Sequence, residues 1–437
     1  MPQTDPHRLS KITSYDAVIV GASLAGCAAA IQLGRSGARV AVVEKKPDPD
    51  AFKRICSHFI QASAVPTLER MGLLKSIEAA GATRPRVRIW SRWGWIEAPS
   101  ERAAQGVNLR REILDPLVRS TAAETPGVEL MLGWEAERLL RDGDAFGGVA
   151  VRNPKGEERQ IRAGLTIGAD GRDSRIAELS EVPTKTYPHN RFAYGGYFEG
   201  GAPEHAPDAT AWFMDPQWAA AFPTDHDLTF YAAMPTKDRL PEFKRDPEGA
   251  LVDYIADVPE PPPIREGRLV GPVLGKVDMT NRMRRPTAPG LALIGDAALA
   301  TDPLFGVGCG WALQSAEWLS DCVRPALQGD EPLAKGLERY RRRHRKELRG
   351  HAFFIHDYAT GRRFNPAERM MFAAAARDRE AATVLDAFAT RQIRPSQAMP
   401  RMVPRAIAVN VRHAFARRRG RGDRPEEQAL SASSPTH

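Results

Sequence analysis

The six residues Gly21-Ala-Ser-Leu-Ala-Gly26 constrain this chain most, because of what stands on either side of them. The apolar run Ala17-Val-Ile-Val20 precedes them, and an Ala-rich segment of helical character follows to about Gly34. The order reads as strand, tight turn and helix. Gly21 permits the turn and Gly26 lets helix and strand pack closely. The free N–H groups along Ala22, Ser23, Leu24 and Ala25 suit a pyrophosphate. Ser23 stands where the usual fingerprint has its middle glycine, so a phosphate must be approached past a small side chain. A second apolar run, Val40-Ala-Val-Val43, ends in Glu44 and Lys45, where a βαβ unit places a ribose-binding acid. Glu44 reads equally as a solvated carboxylate closing an edge strand.

A chain of 437 residues, 42% hydrophobic, can bury a large core in two or three domains. No run approaches the roughly 18 apolar residues of a membrane span, and residues 1–15 are polar without a signal-peptide core, which predicts a cytoplasmic protein. The four cysteines, Cys27, Cys56, Cys309 and Cys322, stand singly without C-x-x-C spacing. Free thiols and no metal site are expected. Residues 341–437 carry 21 Lys+Arg against 9 Asp+Glu, so the tail is basic. Arginine outnumbers lysine throughout, the mark of genome composition bias, and no nucleic-acid role is expected.

Residues 16–80 read as a first βαβ unit followed by a helix over 64–80. An aromatic strand pair follows at 87–96, a helix at 111–123, and strand-like alternation over 128–167. Strand-like aromatic runs occupy 185–280. A last buried strand at 291–294 leads into a helix through Val323, residues 333–419 look mainly helical, and 420–437 is polar and expected to be disordered.

Two later stretches give the first one its meaning. Leu165-Thr-Ile-Gly-Ala-Asp170-Gly171-Arg-Asp-Ser-Arg175 is a strand ending in an Asp-Gly turn before a helix. Gly295-Asp296-Ala-Ala-Leu-Ala-Thr-Asp302-Pro303-Leu-Phe-Gly306-Val307-Gly308-Cys-Gly310 opens an Ala-rich helix. With Arg110-Arg111-Glu-Ile-Leu-Asp115, these resemble the para-hydroxybenzoate hydroxylase-like flavoprotein monooxygenases over roughly residues 16–325. The resemblance implies an α/β fold: a Rossmann-like FAD-binding domain assembled from separated segments, an inserted β-rich substrate domain and a helical C-terminal region. The boundaries read as FAD-binding parts at 1–85, 86–183 (including the strand pair) and 283–332, a substrate domain at 184–282, helices at 333–419 and a tail at 420–437.

The resemblance also assigns roles. Asp296, with Gly295, would bind the ribityl chain. Pro303, Gly306 and Gly308, with Val307, would form the loop against the flavin ring, where helix N-terminal N–H groups stabilise the charge of reduced flavin. Arg111 and Arg54 would face the pyrophosphate, and Asp170 would support FAD and passing NAD(P)H. Asp170 reads alternatively as a helix cap, and either Arg111 or Arg54 as a solvated surface charge. The family's arginine three residues past the serine is Ala177 here, and Leu299 stands where many hydroxylases have a histidine.

Two related families enter the comparison. Flavin halogenases need a Trp-x-Trp-x-Ile-Pro motif; Trp93-Gly-Trp95-Ile-Glu97 lacks the proline and precedes the Asp-Gly motif, which argues against halogenation. Geranylgeranyl reductases show an aromatic strand ending in Phe-Pro, loosely matched by Phe222-Pro223, and a cysteine placed like Cys56. Cys56 and His58 read as an acid or base, or as a structural thiol and a satisfied histidine.

The expectation is an FAD-dependent, NAD(P)H-driven monooxygenase using molecular oxygen on a lipophilic or aromatic small molecule. Tyr194, Tyr197, Phe198, Trp212, Trp218 and Tyr231 are candidates to overlie the flavin, and core packing accounts for about half of them. The alternatives are a C=C reductase and a non-catalytic FAD-binding scaffold. Val403, Ile407, Val411 and Phe415 recur at helical spacing among arginines, which suits either peripheral membrane contact or packing on the main body.

Overall fold

The computed structural model describes residues 12–422. Its first sheet carries parallel strands in the order Leu291–Leu293, Glu158–Gly168, Ile12–Val20, Val40–Glu44, Val128–Leu132, edged by Thr287–Ala288. The antiparallel pair Glu135–Asp142 and Ala145–Arg152 extends from Glu158–Gly168. The inner strands are buried on both faces, which is why they read as continuous Val/Ile/Ala runs instead of alternating ones. Their register decides where the chemistry sits. Val20 lies opposite both Val43 and Gly168, and Gly168 lies opposite Leu293. All three sequence motifs therefore leave the sheet at the same edge.

The second sheet has seven strands, in the order Arg268–Lys276, Ala193–Glu199, Leu228–Met234, Trp218–Pro223, Ala209–Phe213, Val87–Ser91, Gly94–Ile96. Alternation splits its side chains. Trp212, Ala219, Ala221 and Tyr231 pack under helices Leu240–Arg245 and Pro247–Ala256, whereas Phe213, Trp218, Ala220 and Phe222 face the first domain.

Two sequence expectations change here. The strand pair over 87–96, assigned to an FAD-binding segment, pairs into the second sheet, with Val87–Ser91 parallel to Ala209–Phe213. A local pattern reveals a hairpin but not its distant partner. The single helix over 64–80 is two, Val65–Arg70 and Leu74–Ala79, broken at Gly72, whose φ of 66° is left-handed.

Helix Val307–Leu327 packs against Leu24–Arg35 and Leu333–Tyr358, and Tyr340 Oη of the latter donates to Leu293 O at 2.8 Å. Helices Pro366–Ala375, Arg379–Ala389 and Pro395–Gly422 complete the C-terminal region. The expected disorder at 420–437 lies outside the described residues, except that the last helix reaches Gly422. Among the described residues, no helix is long and apolar enough to cross a membrane.

Candidate active site

The first turn has the geometry its glycines require. Gly21 has φ 107°, and a Cβ there would stand 2.5 Å from Ala169 O; at Gly26 it would stand 1.8 Å from Gly21 O. No other residue fits either place without moving backbone. The turn is bonded to its neighbouring strands through Gly21 N to Val43 O (2.7 Å) and Ala169 N to Val20 O (2.8 Å). Ser23 is the N-cap of helix Leu24–Arg35 but makes no side-chain cap, so the N–H groups of the first turn stay available. Ala22, Leu24 and Ala25 are buried beneath them.

Glu44 ends its strand beside this turn, accepting from Ala22 N at 2.9 Å and Lys46 N at 3.0 Å. Each carboxylate oxygen retains a lone pair. Lys45 and Arg54 are exposed. Lys53 is exposed as well, but its Nζ reaches to 3.3 Å from Asp296 Oδ2. Desolvation opposes the Asp296 charge, but Lys53 and Arg172 outweigh it and hold the carboxyl below its ordinary value.

Arg111 lies at the centre, buried. Its Nε donates to Asp115 Oδ1 at 2.6 Å and its Nη2 to Ser23 Oγ at 2.8 Å, so the serine replacing a glycine anchors the guanidinium. Its Nη1 is 3.8 Å from both Cys56 Sγ and Cys309 Sγ. Arg111 N donates to His58 Nδ1 at 2.9 Å. Burial pushes His58 down to about 4, so the ring is neutral and its proton sits on Nε2, which faces Tyr197 Oη. His58 is thereby a satisfied histidine joining the two domains.

The loop after Asp302, which the sequence leads one to expect against a flavin ring, is held from below. Asp302 is fully buried, with His189 Nε2 at 2.8 Å and Arg191 Nε at 3.1 Å from its Oδ2, while Oδ1 accepts from Leu304 N at 2.9 Å. Burial opposes its charge, but Arg191 and His189 outweigh it and lower its pKa. Arg172 of the middle motif donates to Thr301 O at 2.6 Å, and Gln61 Nε2 bridges Phe305 O and Ala389 O, each at 2.8 Å. Sequence reasoning gave none of these tethers a role, since their partners lie more than a hundred residues away.

Above these tethers, Pro303 leads into the turn Leu304–Gly306, and Gly306 adopts φ 63° as N-cap of Val307–Leu327 without a side-chain cap. The first N–H groups of that helix are therefore free of caps, and a Cβ on Gly308 would meet nothing within 4 Å. A cradle open at Gly308, lined by uncapped donors, fits the electron-rich edge of a flavin.

Asp170 lies beside the start of helix Arg175–Leu179, whose N-cap is Ser174. Its Oδ1 accepts from Ser174 Oγ at 2.5 Å and its Oδ2 from Ile176 N at 3.0 Å, tying down the start of helix Arg175–Leu179. Of the six aromatics, Phe198, Trp212 and Tyr231 belong to the core beneath the second sheet, with Tyr194 against it, while Trp218 and Tyr197 face the first domain.

Two apolar chambers meet at the loop. One lies between Phe59, Trp218, Phe222 and Gly306 and has Asp386 in its wall. The other runs between Phe354, Phe364, Phe372 and Met402 of the C-terminal helices. Phe213, Leu304 and Phe305 line both.

A family model described as an FAD binding domain matches residues 14–239. The chain is 27% identical over 365 residues to digeranylgeranylglycerophospholipid reductase 1 of Methanopyrus kandleri, covering 77% of this chain and 87% of that one. The fold resembles that of the flavin-dependent brominase Bmp2, with TM-score 0.74, 19% identity and 93% and 100% of the two chains covered. It also resembles p-nitrophenol 4-monooxygenase of Pseudomonas putida, with TM-score 0.71, 20% identity and 86% and 97% covered.

Proposed function

Since the chain belongs to the FAD binding domain family and is an FAD-dependent oxidoreductase, we propose that it is an NAD(P)H-driven monooxygenase acting with molecular oxygen on a lipophilic or aromatic small molecule. The observation that carries this reading is the apolar chamber walled by Trp218, Phe222 and Phe59 and closed at one end by the loop Leu304–Gly306. A substrate there sits against the ring-binding loop in surroundings that exclude water.

In this reading the Gly21–Gly26 turn and Arg111 hold the pyrophosphate, Glu44 the adenosine ribose and Asp296 the ribityl hydroxyls. The N–H groups of Val307 and Gly308 face the electron-rich edge of the ring. The chemistry the cofactor supplies when bound is transfer of a hydride's electron pair to oxygen. The protein contributes position and electrostatics: Asp302 with Arg191 fixes the loop, and neutral His58 keeps Tyr197 in place.

A second reading, reduction of a C=C bond in a long-chain lipid, is favoured by the second chamber, which continues the first past Phe305, and by the name of the reductase relative. Incubation with NAD(P)H and candidate lipophilic aromatics or polyprenyl lipids separates the two. Oxygen uptake with a product heavier by one oxygen supports the first; a product heavier by two hydrogens without oxygen uptake supports the second. Neither product, with FAD bound, leaves a non-catalytic scaffold.

A further inference from the structure

Cys56 and Cys309 are far apart in sequence, yet their sulfurs lie 3.6 Å from each other. Cys56 comes from the loop between Lys53 and His58, and Cys309 from the first turn of Val307–Leu327, so the pair joins the first domain to the ring-facing helix. Donors converge on Cys56 Sγ: the Cys309 thiol, His58 N at 3.3 Å and Arg111 Nη1 at 3.8 Å. Three donors around one sulfur stabilise a thiolate. Cys56 is only half-buried, so a small oxidant can reach it. The other two cysteines, Cys27 and Cys322, are buried, and each stands without a cysteine partner.

We infer that Cys56 and Cys309 form a peroxide-reactive dithiol that closes to a disulfide across the flavin site. The Cys56 thiolate attacks hydrogen peroxide, the O–O bond breaks, and with one proton the products are Cys56 sulfenic acid and water. The Cys309 thiol then attacks the sulfenic sulfur, forming the S–S bond and releasing a second water. Overall, two thiols and one peroxide give one disulfide and two waters, and a dithiol reductant reverses the change by exchange. The asymmetry of the pair agrees: the Cys309 hydrogen bond and Arg111 hold Cys56 well below an ordinary thiol, while the same hydrogen bond and burial push Cys309 up. Burial also pushes Cys27 up to about 12, and Cys322 is raised by burial too. Closure would remove the sulfur charge beside Arg111 and bind the loop at 53–58 to the helix that faces the ring.

The inference does not depend on which reaction the flavin performs, because added peroxide tests it directly. The FAD-loaded protein, fully reduced and desalted, is treated with equimolar hydrogen peroxide, denatured, alkylated and mapped by mass spectrometry. The expected result is loss of two of the four thiols, a decrease of two hydrogens in mass and one cross-linked peptide joining Cys56 to Cys309, all restored by dithiothreitol. Cys309→Ser should leave Cys56 as a sulfenic acid trapped by dimedone, and Cys56→Ser should leave Cys309 reduced. Four intact thiols in the treated wild type, oxidation spread equally over Cys27 and Cys322, or a link between two chains would overturn the inference.

Discussion

Ser23 and Asp296 show how much single side chains decide here. Ser23, standing where the fingerprint has a glycine, anchors Arg111, whose guanidinium would otherwise rest on Asp115 and the two sulfurs alone. Asp296, beside Lys53, is aimed at the edge where the motifs converge. Asp296→Ala should weaken FAD binding by about one to two powers of ten, the cost of roughly 1–3 kcal/mol for unpaired polar partners. Isothermal titration of the apoprotein checks it, and an unchanged affinity removes Asp296 from the site. Glu44→Ala should weaken FAD far more than FMN, because only FAD carries the adenosine ribose. Equal losses for both would remove Glu44 from that role.

At the scale of elements, the strand–turn–helix at 17–34 and the helix following Gly306 were legible because their glycines and apolar runs are local signals. The register that brings Val20, Gly168 and Leu293 to one edge was legible only through the motifs each strand ends in. The tethers Arg191–Asp302 and Gln61 to Phe305 and Ala389 were not, since nothing near Gln61 or Arg191 in sequence marks its partner. The Cys56–Cys309 pair escaped for the same reason: spacing rules see only neighbours. The last helix shows a further limit. It packs through Ala398, Met402, Ala406 and Val409, while Ile407, Val411 and Phe415 stay 50%, 47% and 59% exposed. Packing therefore uses one face and leaves a second apolar stripe free. The peripheral membrane contact expected from the sequence would use this stripe, together with the basic charge of residues 341–437. Converting Ile407, Val411 and Phe415 together to Ser should abolish salt-sensitive sedimentation with phosphatidylserine vesicles while FAD stays bound. Wild-type protein that ignores such vesicles at low salt would end that expectation.

The whole molecule should be sensitive to acid in a defined window. Burial lowers His58, His344 and His356 to about 4 and His351 to about 3, against 6.5 for a free histidine. Between those values the unfolded chain binds protons that the native chain does not, so stability falls as pH drops from about 6.5 toward 4. Asp386, raised by burial to about 6, and Asp170, also raised by burial, act oppositely, since their native carboxyls keep protons that the unfolded chain releases. Four histidines outweigh two carboxyls, and Tm should be several degrees lower at pH 5 than at pH 7; a flat profile would show these histidines to be solvated. The central claim is more basic than any of these: three separated motifs, brought to one sheet edge, form a single FAD site. Its most direct test is the stoichiometry of flavin released on denaturing the purified protein after saturation with FAD and gel filtration. The account predicts a yellow protein that releases one FAD per chain, with FMN unable to take its place; a colourless protein that takes up no added FAD would contradict it.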